Sequence, residues 1–275
     1  MLIVVALRRS DRRAAVDPLS GEVATDPHGS GASTADQAAL EHALRIRSEL
    51  GGRCVAVTVG PAGADEMLRE ALAVGADDVL RVEGPDPAIT ITEDGSGTAR
   101  LILAGLAEPP DIVLCGDHSA DRGTGSTPAF LAHRLNAAQA LGLVELTVSG
   151  GRLHAVRRLD GGRRERLAFD PPAVCSVEPA GMLLRRASLP AVLTARRAAI
   201  PVVRVGSLDA PTGTRRPYRP RPKALPVPED THPHRRVLEL TGALVERTPP
   251  KVITAPTPAE AAQALLGYLR ERGAP

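Results

Sequence analysis

The stretch "PDIVLCGDHSADRGTGSTPAFLAHRL", residues 110–135, decides how this chain folds. Ile112, Val113, Leu114 and Cys115 form a continuous apolar run after a Pro-Asp break, the pattern of a strand buried on both faces. Phe130, Leu131, Arg134 and Leu135 fall at helical spacing. Between strand and helix lies a loop holding Gly123 and Gly125, Asp117 and Asp121, Ser119 and Ser126, Thr124 and Thr127. A strand that opens into a small, hydroxyl-rich loop and then a helix is one half of an α/β unit, and its loop lies at the carboxyl end of the strand.

Working outward, the first 145 residues repeat this alternation. "LIVVAL" (2–7) reads as a strand, and "STADQAALEHALRIRSELGG" (33–52) as a helix with a Ser/Thr cap ahead of Asp36 and Gly51-Gly52 as its stop. "RCVAVTVG" (53–60) is a strand, "ADEMLREALAVGAD" (64–77) a helix ending at Gly75, "DVLRV" (78–82) a short strand and "TARLILAGLAE" (98–108) a helix. Apolar strands alternating with helices imply a parallel sheet covered on both faces. Ligands of such sheets sit beyond the carboxyl ends of the strands, which singles out the loops after Leu7, Val59 and Cys115. Residues 147–180 differ: short alternating segments joined by Gly-Gly turns predict a β-hairpin or meander. From about residue 201 the chain turns Pro- and Arg-rich, as in "APTGTRRPYRPRPKALPVPEDTHPH", which reads as extended. A last helix is predicted over 258–273, with Pro258 at its start and Ala262, Leu265, Leu266 and Leu269 on one face. That stripe suits either a partner or the chain's own domain.

Composition narrows the class. A net charge of +2 over 275 residues does not favour a nucleic-acid groove, and two Tyr, two Phe and no Trp leave no base-stacking platform. Cys54, Cys115 and Cys175 sit in apolar runs without ligand spacing, so they read as buried core thiols, in keeping with a reducing cytoplasm. "MLIVVALRR" carries its charges after the apolar run and reads as a first strand, not a signal peptide. No apolar run is long enough to span a bilayer.

The loop itself allows two readings. Gly123 and Gly125 permit close backbone approach, Thr124, Ser126 and Thr127 add hydroxyls, and a helix N-terminus favours an anion, so a phosphate suits it. Asp121 and Asp117 are able to bind a ribose hydroxyl or a metal. A plain Gly/Ser/Thr turn has the same composition. No Lys follows the glycines as in a P-loop, and no Gly-x-Ser-x-Gly elbow occurs.

The stretch resembles the adenosine-phosphate loop of the electron transfer flavoprotein beta subunits, which runs Gly-x-Gln-Ala-x-Asp-Asp-Asp-x-x-Gln-Thr-Gly. Gly116, Asp121 and Thr127 match without a gap, whereas His118, Arg122, Gly123, Ser126 and Pro128 replace family residues. "ALAVGADDVLRV" (71–82), "DGG" (160–162) with "ERLAFDPPAVCSV", and "RRASLPAVLTARR" (185–197) resemble further family segments in the same order, and "RTPPKV" with the last helix resembles the family's arm. The chain is thereby identified as a divergent member.

The resemblance implies a Rossmann-like parallel α/β sheet of the adenine-nucleotide alpha-hydrolase type, with a β-hairpin extension and a C-terminal arm ending in a helix. Residues 1–200 would form the nucleotide-binding domain with hairpin and docking peptide, and 201–275 the arm. It implies a cytoplasmic, non-catalytic subunit that binds AMP as a structural ligand, or FAD. The redox FAD lies mainly on a partner alpha subunit in a heterodimer, and flavin dehydrogenases are the electron donors. Carried over, the nucleotide would meet Ala6, Ser33, Thr34, Asp36 and Val59, and the loop residues Asp121, Arg122, Gly123, Thr124, Gly125, Ser126 and Thr127. Arg185, Arg186, Leu189 and Pro190 would form the donor-docking peptide, with Leu189 as anchor and Pro190 holding the path extended. Arg158 stands where the family commonly has Glu facing its partner; it reads as a changed partner contact or a solvated hairpin residue. Arg215, Arg216, Arg219, Arg221 and Lys223 would dock on an acidic partner or keep the arm soluble.

Two other classes compete. A stand-alone adenine-nucleotide sensor of the universal-stress type accounts for loop and sheet but not for "RRASLPAVL" or the last helix. An ATP-pyrophosphatase ligase needs Ser-Gly-Gly-x-Asp-Ser after the first strand, and "VVALRRSDRR" lacks it. The seven His are scattered and no acid–base pair stands out, so no catalytic residue is expected.

Overall fold

The computed structural model describes residues 1–11, 15–24, 29–84, 95–121, 123–206, 227–242, 252 and 257–271. In chain order, β1 (Leu2–Ala6), β2 (Arg9–Asp11), β3 (Ala15–Val16), β4 (Val23–Ala24) and β5 (Ser30–Ala32) precede α1 (Thr34–Leu50). There follow β6 (Arg53–Val59), α2 (Asp65–Val74), β7 (Asp78–Glu83), α3 (Gly95–Gly105), β8 (Ile112–Gly116) and α4 (Thr127–Leu135). Next come β9 (Ala138–Ser149), β10 (Arg152–Arg158), β11 (Arg164–Phe169), β12 (Ala173–Val177), α5 (Leu189–Arg196) and β13 (Val202–Arg204).

Nine strands form one sheet in the order β11-β10-β9-β12-β8-β1-β6-β7-β13. The pairs from β9 through β12, β8, β1, β6 and β7 to β13 are parallel, and β9-β10-β11 is an antiparallel extension. This is the covered parallel sheet that the alternation predicts and the Rossmann-like α/β architecture that the resemblance implies. β1 shows why it holds. Ile3 and Val5 point into a core that includes Ala39 and Leu44 of α1 and Leu68 of α2. Leu2 and Val4 point into the opposite core, with Leu101 and Ile102 of α3 and Leu131 of α4. Every second residue thus feeds one of two helical layers, and burying each such side chain contributes about 1.5–3 kcal/mol. Cys54, Cys115 and Cys175 are buried free thiols, as expected.

Two elements depart from the sequence reading. The sequence pattern groups "AVCSV" (173–177) with the hairpin, yet it is β12, buried throughout and parallel to both β8 and β9. Its five consecutive buried residues need cover on both faces, unlike the alternating β11 beside it in the chain. β13 lies past residue 200 and pairs with β7 in parallel, closing that edge of the sheet.

Compactness divides the chain at Met1–Pro211 and Thr212–Pro275. In the second unit, α6 (Pro233–Thr241) forms where the sequence reading had an extended arm, starting at Pro233 and ending in a left-handed Gly242. α7 (Pro258–Glu271) starts at the expected Pro258. Thr257 and Glu260 cap it reciprocally: the Glu260 N–H donates to Thr257 Oγ1 at 3.3 Å, and the Thr257 N–H to Glu260 Oε2 at 3.2 Å. Leu265, Leu266 and Leu269 on it are exposed. Arg215, Arg216, Arg219, Arg221 and Lys223 lie outside the described residues. No helix among the described residues is long and apolar enough to cross a membrane.

Candidate functional site

The carboxyl ends of β1, β6 and β8 open onto a cleft that is continuous with solvent. Ala6, Arg8, Val59, Thr124, Gly125 and Thr127 line it. The loops after Leu7 and Cys115 contribute, and β6 contributes its last residue, Val59.

α1 delivers Asp36 to the cleft floor. Ser33 is its N-cap: Ser33 Oγ accepts the Asp36 N–H at 3.1 Å and donates to Asp36 Oδ2 at 3.0 Å. The Arg8 N–H also donates to Asp36 Oδ2, at 3.4 Å. Burial pushes the Asp36 carboxyl up to about 6, against the opposing pull of these hydrogen bonds. Of the segment 33–36, then, Asp36 lines the cleft, while Ser33 spends its hydroxyl on the cap and Thr34, the first helical residue, faces solvent.

The loop after β8 folds onto itself. The Ser119 N–H donates to the Thr124 carbonyl at 2.8 Å, the Gly123 N–H to the Ser119 carbonyl at 2.8 Å, and the Thr124 N–H to Ser119 Oγ at 3.2 Å. A Cβ on Gly125 would stand 2.2 Å from the Asp117 carbonyl oxygen. The close approach that requires glycine here is therefore to the loop's own backbone, and Gly125 lines the cleft at the same time. Ser126 supplies no side-chain cap to α4, and Pro128 in its first turn has no N–H. α4 thus meets the cleft at Thr127 with its first turn uncapped. Arg122 lies outside the described residues.

Asp121 does not line the cleft; it faces Arg8, with Arg8 Nε at 2.8 Å from Oδ1 and Nη2 at 2.7 Å from Oδ2. Sequence reasoning missed Arg8, because a basic pair after a strand reads as a solvated start of a loop. It also missed His118, which lines the cleft and has Nδ1 2.7 Å from Asp117 Oδ1. At the amino end of α3, Gly95 and Thr98 add a further wall; only the run "GSGT" hinted at it.

The expected docking peptide stands apart from the cleft. Leu189 is 70% exposed, so it is no core residue. Ser188 caps α5, its Oγ accepting the Ala191 N–H at 3.4 Å. Pro190 occupies the first turn of that helix instead of holding an extended path, a position where its missing N–H costs nothing. Arg185 is committed to Glu41, with Nε 2.9 Å from Oε2 and Nη2 3.1 Å from Oε1, whereas Arg186, also exposed, makes no ion pair among the described residues. Arg158 pairs with Glu178 of its own chain at 2.8 Å, so its charge already has a partner within the fold.

Fold and cleft together define a Rossmann-like α/β protein with a solvent-open cleft at the carboxyl edge of its parallel strands. A family model described as "Electron transfer flavoprotein domain" matches residues 22–208. The human electron transfer flavoprotein subunit beta is 35% identical over 173 residues, 62% of this chain and 67% of that protein. The bovine subunit is 33% identical over the same span and coverage. The mitochondrial subunit of Oryza sativa subsp. japonica is 31% identical over 221 residues, 76% of this chain and 84% of that protein. The chain belongs to the beta-subunit family of electron transfer flavoproteins. As such it is an electron-transfer component and not a catalytic enzyme.

Proposed function

We propose that this chain binds an adenosine phosphate in the cleft and pairs with an alpha subunit that holds the redox FAD, so that electrons from flavin dehydrogenases pass through the heterodimer. The observation that carries the reading is the convergence of Ala6, Asp36, Val59, Thr124, Gly125 and Thr127, far apart in sequence, on one cleft. The residues present fit a phosphate: an uncapped helix start at Thr127, a guanidinium at Arg8 and hydroxyls at Thr98, Thr124 and Thr127 surround the same space. When bound, FAD supplies the redox chemistry, and this chain contributes shape and orientation. Leu189, exposed at the start of α5 beside Arg186, is the donor-docking anchor, and the apolar stripe of α7 is the alpha-subunit contact.

Co-expression with an alpha subunit, followed by gel filtration and acid release of bound nucleotides, tests this. A heterodimer carrying one adenosine phosphate or FAD in addition to the redox FAD is expected. Truncation after Arg247 should lower heterodimer affinity and leave the α/β unit folded. Failure of the full chain to pair, or a pair without a second nucleotide, overturns the reading.

A further inference from the structure

We propose that Arg8 recognises the ligand's phosphate and that Asp121 acts through Arg8 as its positioning residue. Among the described residues lining the cleft, Arg8 is the one permanent cation. It follows β1 directly, and its own N–H is anchored on Asp36 Oδ2 at 3.4 Å. Its side chain is 28% exposed and Asp121 31%, so the pair sits at the rim, where a ligand can reach it. A guanidinium carries five N–H donors in a fixed fork. Asp121 takes one from Nε and one from Nη2, at 2.8 and 2.7 Å. The two Nη1 hydrogens and the second Nη2 hydrogen remain, which is the edge that binds phosphoryl oxygens in pairs.

The ion pair also explains why a carboxylate is tolerated beside a phosphate site. By itself, Asp121 would repel an anionic ligand. Paired bidentately, it neutralises Arg8 before the ligand arrives and fixes the fork, so less side-chain freedom is lost on binding. The assignment rests on the nucleotide reading above and deepens it. It replaces a direct ribose contact by Asp121 with one that runs through Arg8 to the phosphate.

AMP and adenosine differ by the phosphate alone, so they are the probes, titrated calorimetrically into the full-length chain in its heterodimer after removal of bound nucleotide. Arg8→Met should weaken AMP by roughly ten- to a hundredfold, the range of a charge-assisted contact, and leave adenosine unchanged. Arg8→Lys should recover part of the AMP affinity through its charge. Asp121→Asn should weaken AMP several-fold, leave adenosine unchanged, and have no further effect in the Arg8→Met background. Equal loss of AMP and adenosine in Arg8→Met, or no loss of AMP, overturns the assignment. So does an Asp121→Asn effect that persists without Arg8, which would return Asp121 to the ribose. A wild-type heterodimer that takes up neither probe overturns the nucleotide reading itself, and this assignment with it.

Discussion

Glu41 and Arg185, 144 residues apart, are joined by three hydrogen bonds. The Glu41 carboxylate, 5% exposed, accepts the Arg185 backbone N–H at 3.1 Å, Nε at 2.9 Å and Nη2 at 3.1 Å, and Arg45 Nε adds a fourth at 2.9 Å. This ties the peptide carrying Leu189 to α1, the helix whose first turn supplies Asp36 to the cleft.

The tie has a pH signature. Burial would raise the Glu41 pKa, but the hydrogen bonds from Arg185 and Arg45 overcome it and bring the carboxyl down to about 2. A folded-state value below the ordinary 4.5 means stability that is present above pH 4.5 and lost as pH falls toward 2. Glu41→Gln should cost about 2 kcal/mol at pH 7 and flatten the acid limb between those values. Urea unfolding across a pH series reads both; an acid limb unchanged in the variant would remove Glu41 as its source.

His42, the next residue, is buried at 3% exposure, and its Nδ1 has no hydrogen-bond partner among the described residues. Burial, then the charge of Arg45, lowers it to about 4. The unfolded chain therefore takes up a proton first, and stability falls as pH drops from about 6.5 through 4. His42→Leu removes an unsatisfied polar atom and a titrating group at once. It should change stability by no more than about 1 kcal/mol at pH 7 and abolish the loss in that window. A slope in the variant as steep as in the wild type would assign it to another group.

Because a Cβ on Gly125 would overlap the Asp117 carbonyl, Gly125→Val should distort the loop and cost about 1–3 kcal/mol. Nucleotide loss in that variant would report the distortion, not a ligand contact. Thr127→Val is the informative change: it keeps the branched shape and removes the hydroxyl at the cleft wall. It should lower nucleotide retention with the melting temperature unchanged, and full retention would take the Thr127 hydroxyl out of the site.

What was legible in the sequence was local. Ser33 as cap, Gly75 and Gly51 as stops and Pro258 as a helix start are short-range chemistry, and the structure has each of them. The apolar runs placed the sheet and pointed to three strand ends that do converge, two of them through their loops. What was hidden depends on residues meeting across the chain. Nothing near Asp121 announces Arg8, 113 residues earlier. Nothing in "RRASL" shows that its first Arg already has a buried partner on α1. β12 was misplaced because its neighbours in sequence belong to the hairpin whereas its neighbours in space are parallel strands. Its run of Ala173, Val174, Cys175 and Val177, interrupted only by Ser176, was the available sign.

Leu189→Ala separates docking from packing. Leu189 opens α5 and is 70% exposed, so its side chain contributes little to the core, and the change should alter stability by less than about 0.5 kcal/mol. Burial of the same side chain in a partner's apolar pocket contributes about 1.5–3 kcal/mol, and ~1.4 kcal/mol is tenfold in affinity. Donor docking should weaken by roughly ten- to a hundredfold, visible as a higher KM for the heterodimer in electron transfer from a flavin dehydrogenase, with the limiting rate, nucleotide content and heterodimer formation unchanged. Arg186→Gln should act differently: as an exposed charge it mostly affects the association rate, and its effect should fade with added salt. The clamp on Arg185 adds a third comparison. Glu41→Gln leaves Leu189 present but releases the peptide that presents it, so KM should rise in that variant too, less than in Leu189→Ala. Unaltered kinetics in Leu189→Ala would show that this exposed leucine is not the anchor.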